Sequence, residues 1–120
     1  MVIYAEERSC TTQYELGELF YKGHQGSRDF DQAFKWYRKA AKRGLRQAQH
    51  QLGSMYARGQ GVTQDYAEAY AWCKVAAFQK SNRGKRKLKC LEAKMSRNQV
   101  QRGSWLARSY YNLYVAHHNQ

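Results

Sequence analysis

The residues best suited to chemistry in this 120-residue chain are its cations. Between positions 80 and 102, Lys80, Arg83, Lys85, Arg86, Lys87, Lys89, Lys94, Arg97 and Arg102 stand against Glu92 alone. Like charges one helical turn apart, such as Lys85 and Lys89, destabilise an isolated helix by about 0.2–0.5 kcal/mol each, and an acidic partner would relieve that cost. Three readings stay open: a solvated basic face that aids solubility, a surface for an acidic protein, and a phosphate-binding surface for nucleic acid. No recognised nucleic-acid motif accompanies the cluster, and the aromatic residues fall mostly on core phase rather than between the basic ones.

Other chemistry finds little support. His117 and His118 end the chain in a polar tail, and His24 and His50 stand far apart, so no metal-ligand spacing emerges. There is no Gly-x-Ser-x-Gly, no Gly-rich phosphate loop before a Lys-Ser or Lys-Thr pair, and no pair of carboxylates in an apolar setting. Neither enzymatic activity nor a cofactor is expected. Cys10, Cys73 and Cys90, at unpatterned spacings, suit free thiols in a reducing compartment. Cys73 and Cys90 fall on consecutive antiparallel helices, which makes them the pair for which a disulfide is weighed.

The elements that position these residues follow from composition and period. At about 100–200 residues per domain, the length predicts a single domain over residues 1–120. The chain has no proline, 14% aromatic residues and a formal net charge of +12. This excludes collagen-like and Pro-rich classes and argues against a fully disordered chain. No window approaches the roughly 18 apolar residues of a membrane span. The opening residues lack the basic start and apolar run of a signal peptide. The expectation is a cytoplasmic protein with no membrane partner, frayed over Met1–Arg8.

Compared with itself at an offset of 36, residues 12–44 match 48–80 without a gap. Gln13 pairs with Gln49, Leu16 with Leu52, Gly17 with Gly53, Gly23 with Gly59, Asp29 with Asp65, Ala33 with Ala69, Trp36 with Trp72, and Ala40-Ala41 with Ala76-Ala77. Each unit reads as two helices. Ala48, Leu52, Met55 and Tyr56 form one stripe at helical period, with Gly53 on the same side. A mid-helix glycine costs about 1 kcal/mol relative to alanine and so needs a packing reason, here close helix approach. Gly59-Gln60-Gly61-Val62 breaks the helix, Asp65 with Glu68 and Asp29 with Gln32 form capping boxes, and Gly44 is a left-handed stop. The second helix of unit two carries Ala69, Trp72 or Cys73, Ala76 and Ala77 inward. A third first-helix is predicted from about Asn82 to Met95. Ser96 with Gln99 then opens a closing helix with Val100, Leu106, Ala107, Tyr110, Leu113 and Tyr114 inward. Trp36, Trp72 and Trp105 are assigned to packing.

The string Leu52-Gly53-x-Met55-Tyr56-x-x-Gly59-x-Gly61-Val62-x-x-Asp65-x-x-x-Ala69-x-x-Trp72-x-x-x-Ala76-Ala77 resembles the Sel1-like repeat, a relative of the tetratricopeptide repeat with a longer turn between its helices. Unit one keeps Trp36-Tyr37-Arg38-Lys39-Ala40-Ala41 but has Gln25 and Gly26 where unit two has Gly61 and Val62. The resemblance implies a right-handed αα-solenoid and a scaffold or adaptor that binds other proteins, often in bacterial signalling or host interaction. With the closing helix, the expected fold is all-α with about six helices: repeat one over about 12–47, repeat two over about 48–83, and a half repeat with C-terminal cap over about 84–120.

In tetratricopeptide-like solenoids the first helices line the concave surface. The resemblance therefore places Tyr14, Glu18, Tyr21 and Lys22 of unit one, Gln47, His50, Ser54 and Arg58 of unit two, and Arg83, Arg86 and Lys94 of the half unit toward a partner. The leading expectation is an adaptor that holds an acidic peptide or protein surface in this groove, with tyrosines as anchors and cations for steering. The alternative is sequence-independent nucleic-acid binding through residues 80–102. The oligomeric state stays open, a homodimer being one option for so short a groove.

Overall fold

The computed structural model describes residues 9–23, 28–79 and 82–116, with the backbone alone at 82–84. The expected fraying of Met1–Arg8, the Gln25-Gly26 turn, His24, Lys80 and the His117-His118 tail lie outside the described residues, as does the side chain of Arg83. Six helices and no strand are found among the described residues: α1 (Cys10–Lys22), α2 (Phe30–Lys42), α3 (Arg46–Arg58), α4 (Tyr66–Phe78), α5 (Asn82–Glu92) and α6 (Arg97–Tyr114). Each of α1 to α4 packs on the next, and α4 also receives α5 and α6. The molecule measures 44 × 37 × 22 Å. Its shortest dimension is about two helix diameters of roughly 10–12 Å, as two layers of helices require. This is the all-α helical-repeat solenoid that the sequence predicts.

Local chemistry sets the helix ends. The Asp29 side chain accepts from Gln32 N at 3.1 Å, and Asp65 accepts from Ala67 N and Glu68 N at 3.0 and 3.2 Å. The reciprocal half of each capping box is absent. The Asp29 and Asp65 amides donate instead to the carbonyls of Phe20 and Tyr56, both at 3.0 Å, which ties each second helix to the end of its first. At Ser96 and Gln99 both halves of the box form. Gly44 has φ 94° and closes α2 with the paired backbone bonds Leu45 N to Ala40 O and Gly44 N to Ala41 O. Helix α5 ends at Glu92, short of Met95, because Lys94 N and Met95 N turn back to Leu91 O and Glu92 O ahead of the capping serine.

Packing follows the small residues. A Cβ added at Gly17 would lie 2.6 Å from the Tyr37 ring, and one at Gly53 would lie 2.6 Å from Cys73 Sγ. Tyr37 and Cys73 are themselves repeat equivalents, so the same helix crossing is built twice. Helix α4 is buried on nearly every side, through Ala67, Ala69, Tyr70, Ala71, Trp72, Cys73, Val75 and Ala76. Such an all-round apolar helix belongs at the centre. Helix α6 seats Gly103 and Ala107 against α4, and a Cβ at Gly103 would meet the Tyr70 ring at 2.8 Å.

That contact line corrects two sequence expectations. Trp105, 68% exposed, and Leu113, 57% exposed, lie off the inner face of α6, because Gly103, Ala107, Tyr110 and Tyr114 set the phase. Of the three tryptophans, Trp72 alone is fully in the core, while Trp36 is half-buried. The three cysteines are free thiols. Cys73 is buried and Cys90 exposed, and burial pushes the Cys73 thiol up to about 12.

Candidate functional site

The first helices carry the predicted partner-facing residues. On α1, the Tyr14 and Tyr21 rings lie 5.7 and 6.2 Å from the ring of Tyr37, and Tyr21 also packs 5.2 Å from Phe30. Both tyrosines are half-buried, so each offers an edge rather than a whole face. Glu18 accepts hydrogen bonds from the Tyr37 hydroxyl and from Gln51 Nε2 at 3.0 Å, and pairs with Lys22 at 3.1 Å. The Tyr21 hydroxyl donates to Gln60 Oε1 at 3.0 Å and accepts from an Arg58 guanidinium nitrogen at 3.4 Å. These bonds join α1 to α3 through two polar groups, Glu18 with Lys22 and Gln51, and Tyr21 with Arg58 and Gln60. Beside the Glu18 group a cleft of about 480 Å³ is lined by Tyr14, Glu15, Glu18, Leu19, Lys22 and Gly23.

The remaining predicted residues are dispersed. Gln47 is exposed and His50 half-buried, whereas Ser54 is 7% exposed and so turned away from solvent. Arg86 lies exposed on α5, and Lys94 is exposed in the turn that follows it. Lys85, Lys89, Arg97 and Arg102 of the basic segment are exposed as well, and Lys87 is half-buried. Gln51 and Gln60 complete the two α1–α3 groups, although the sequence does not mark them as partner-facing. Gln49 was visible only as a repeat identity with Gln13. It is fully buried, donates to the Ala41 carbonyl at 3.1 Å and accepts from Gln79 Nε2 at 2.7 Å, thereby adding a second donor to a carbonyl at the end of α2 that already accepts from Gly44 N.

Most of the acidic residues described have internal employment, Glu15 and Asp31 standing exposed. Besides Glu18, Glu68 accepts from the Tyr110 hydroxyl and Glu92 from the Tyr70 hydroxyl, both at 2.8 Å. Asp29 and Asp65 cap helices. Burial, reinforced by the bonded carboxylate, raises Tyr37, Tyr70 and Tyr110 above the usual phenol range. With several carboxylates fastening helices to one another, exposed cations outnumber exposed carboxylates among the described residues. No group of three or more His, Cys, Asp or Glu among the described residues could hold a metal ion. No helix among them is long and apolar enough to cross a membrane.

Comparison with known proteins gives this geometry its family. The Sel1 repeat matches residues 11–45 and again residues 46–79, more than half of the chain. A search of curated proteins finds no match. Among solved structures, the chain is similar to a protective antigen present in uropathogenic Escherichia coli strains that displays an SLR fold. The TM-score is 0.85 and the identity 34%, over 92% of this chain and 24% of that one. It is also similar to a Sel1 repeat protein from Oxalobacter formigenes, with TM-score 0.69 and 37% identity over 72% of this chain and 25% of that one. The chain thus spans about a quarter of the length of either protein. With the repeat matched twice over α1 to α4 and the same fold in these structures, the chain belongs to the Sel1 repeat family.

Proposed function

We propose that this chain is a binding scaffold, not an enzyme, and that it holds an acidic peptide or protein surface along its first helices. Sel1 repeats mediate protein–protein interaction, which supports the general reading. The observation that carries the acidic preference is the fate of the carboxylates. Glu18, Glu68 and Glu92 bind tyrosine hydroxyls, and Asp29 and Asp65 cap helices, while Arg58, Arg86 and Lys94, which the repeat resemblance turns toward a partner, stand exposed. A surface on which exposed cations outnumber exposed carboxylates attracts anions from outside. Tyr14 and Tyr21, held half-buried by Tyr37, supply amphipathic edges that need little ordering on binding. The cleft beside Glu18 is mixed in charge, which fits an extended partner whose acidic part lies toward α5 and whose apolar part reaches Leu19.

The test is association of a fluorescein-labelled Asp/Glu-rich peptide, measured by stopped flow. Arg58→Glu with Arg86→Glu is expected to slow association by about tenfold at low salt and less at physiological salt, with the circular dichroism spectrum kept. An unchanged association rate in the double variant would exclude this face as the site.

A further inference from the structure

Trp36 and Trp72 hold the same position in the two repeats but have different surroundings. The Trp72 ring is stacked by Tyr110 at 4.5 Å and by Tyr114 at 5.8 Å, with interplanar angles of 20° and 16°, both tyrosines coming from α6. The 36-residue offset assigns the corresponding places beside Trp36 to Lys74 and Phe78 of α4. Neither serves: the Lys74 ammonium lies over the Tyr70 ring at 5.4 Å, and Phe78 packs edge-on against Tyr111 at 5.4 Å. Among the described residues no aromatic ring stacks on Trp36. The repeat thus leaves one indole without the aromatic cover that its twin has.

That indole lines an open cleft of about 450 Å³ on α2, together with Gln32, Phe34, Lys35, Arg38, Lys39 and Lys42. The size lies within the roughly 300–1,000 Å³ of small-ligand sites. No carboxylate contributes to its wall. The Lys39 ammonium sits 4.7 Å from the Trp36 ring centroid. Burial first, and then crowding by the neighbouring Arg38 charge, lower the Lys42 ammonium. An incoming anion would relieve that crowding.

A planar π surface ringed by cations suits a ligand that joins a flat ring to negative groups. A run of Asp and Glu supplies the charge but no flat ring to lie on the indole. A duplex supplies phosphates but keeps its base faces stacked inside. A single strand offers both at once. We propose that this cleft binds single-stranded nucleic acid, with a base stacked on Trp36 and the adjoining phosphates on Lys35, Arg38, Lys39 and Lys42. Sequence reasoning tied nucleic acid to residues 80–102, where aromatics are not interleaved with cations; on α2 the structure supplies that interleaving.

The experiment is a polarisation titration with fluorescein-labelled oligothymidine at physiological salt, using the full chain. Trp36→Ala carries no charge change and is expected to weaken binding by about tenfold, in the range of one lost stacking contact. Lys35→Glu with Arg38→Glu, both exposed side chains, is expected to weaken it as well and to flatten the salt dependence. The equivalent pair Lys85→Glu with Lys89→Glu on α5 is expected to cost less than Trp36→Ala. Retained affinity in Trp36→Ala overturns the proposal, as does a wild-type protein that fails to bind at physiological salt. Displacement of the oligonucleotide by a glutamate-rich peptide at equal concentration also overturns it, since the cleft would then be an acidic-peptide site. Should Trp36→Ala lose its helical signal, the Lys35/Arg38 variant decides alone, and unchanged affinity in it counts against the cleft.

Discussion

The glycines at positions 17 and 53 show how one missing side chain organises this molecule. Alanine usually stabilises a helix interior by about 1 kcal/mol over glycine. At Gly53 the added methyl would press on Cys73 Sγ at 2.6 Å and on the Ala69 carbonyl oxygen at 3.0 Å. Overpacking of this kind costs about 1–3 kcal/mol and reverses the sign. Urea denaturation should therefore show Gly53→Ala less stable than the parent, with part of the loss recovered in the Gly53→Ala/Cys73→Ala double variant, where the thiol is gone. A neutral Gly53→Ala would mean that α3 and α4 do not approach as closely as described. The glycine's role was legible because it stands on an apolar stripe in both repeats. The role of Gln49 was not, since a repeated glutamine announces neither its burial nor the Ala41 carbonyl it serves.

At the scale of elements, α6 is held by a few directional contacts laid over an apolar seam. Tyr110 and Tyr114 stack on Trp72, and the Tyr110 hydroxyl reaches Glu68 across 42 residues of sequence. Removing that hydroxyl leaves the ring and its stacking in place but strips a partly buried carboxylate of its donor. Hydrogen bonds to charged groups contribute about 1.5–3 kcal/mol. Tyr110→Phe is expected to lower stability by about that amount in chemical denaturation, and a variant indistinguishable from the parent would show the bond to be idle. The sequence places Glu68 in a capping box, a local motif four residues long. In the fold Tyr110 takes the carboxylate, and Asp65 N finds Tyr56 O instead. The box at Ser96 and Gln99 forms as read, both of its bonds being made within the motif itself.

For the molecule as a whole, burial of weak acids couples stability to alkaline pH. Cys73 ionises near 9 when unfolded and is raised to about 12 in the fold, so its neutral form is favoured by folding. The contribution is complete below about pH 9 and is lost as pH rises toward about 12. Tyr37, Tyr56, Tyr70 and Tyr110 are all raised too, burial being the leading cause, and act in the same direction. Unfolding free energy should hold level from neutral pH to about 9 and then fall, with each such group contributing at most about 1.4 kcal/mol per pH unit. Measured urea midpoints between pH 7.5 and 10.5 test this. A midpoint independent of pH would contradict the burial of these groups. Cys73→Ala should show a shallower decline than the parent.

The helices, their repeat and the inner faces of the two repeats were determined by the sequence alone, because a capping side chain, a helical period and a 36-residue recurrence are all written in residue order, whereas the inner face of α6 was not. The tertiary structure alone decided which tryptophan is covered, which carboxylate each tyrosine takes and which of the predicted partner-facing residues meet. Tyr21 with Gln60, Gln51 with Glu18, and Tyr110 with Glu68 stand 39, 33 and 42 residues apart. Contacts at such separations depend on the angle and depth at which whole helices cross. Those are set by small residues such as Gly17, Gly53 and Gly103 acting through the packed layer, and no local pattern encodes them.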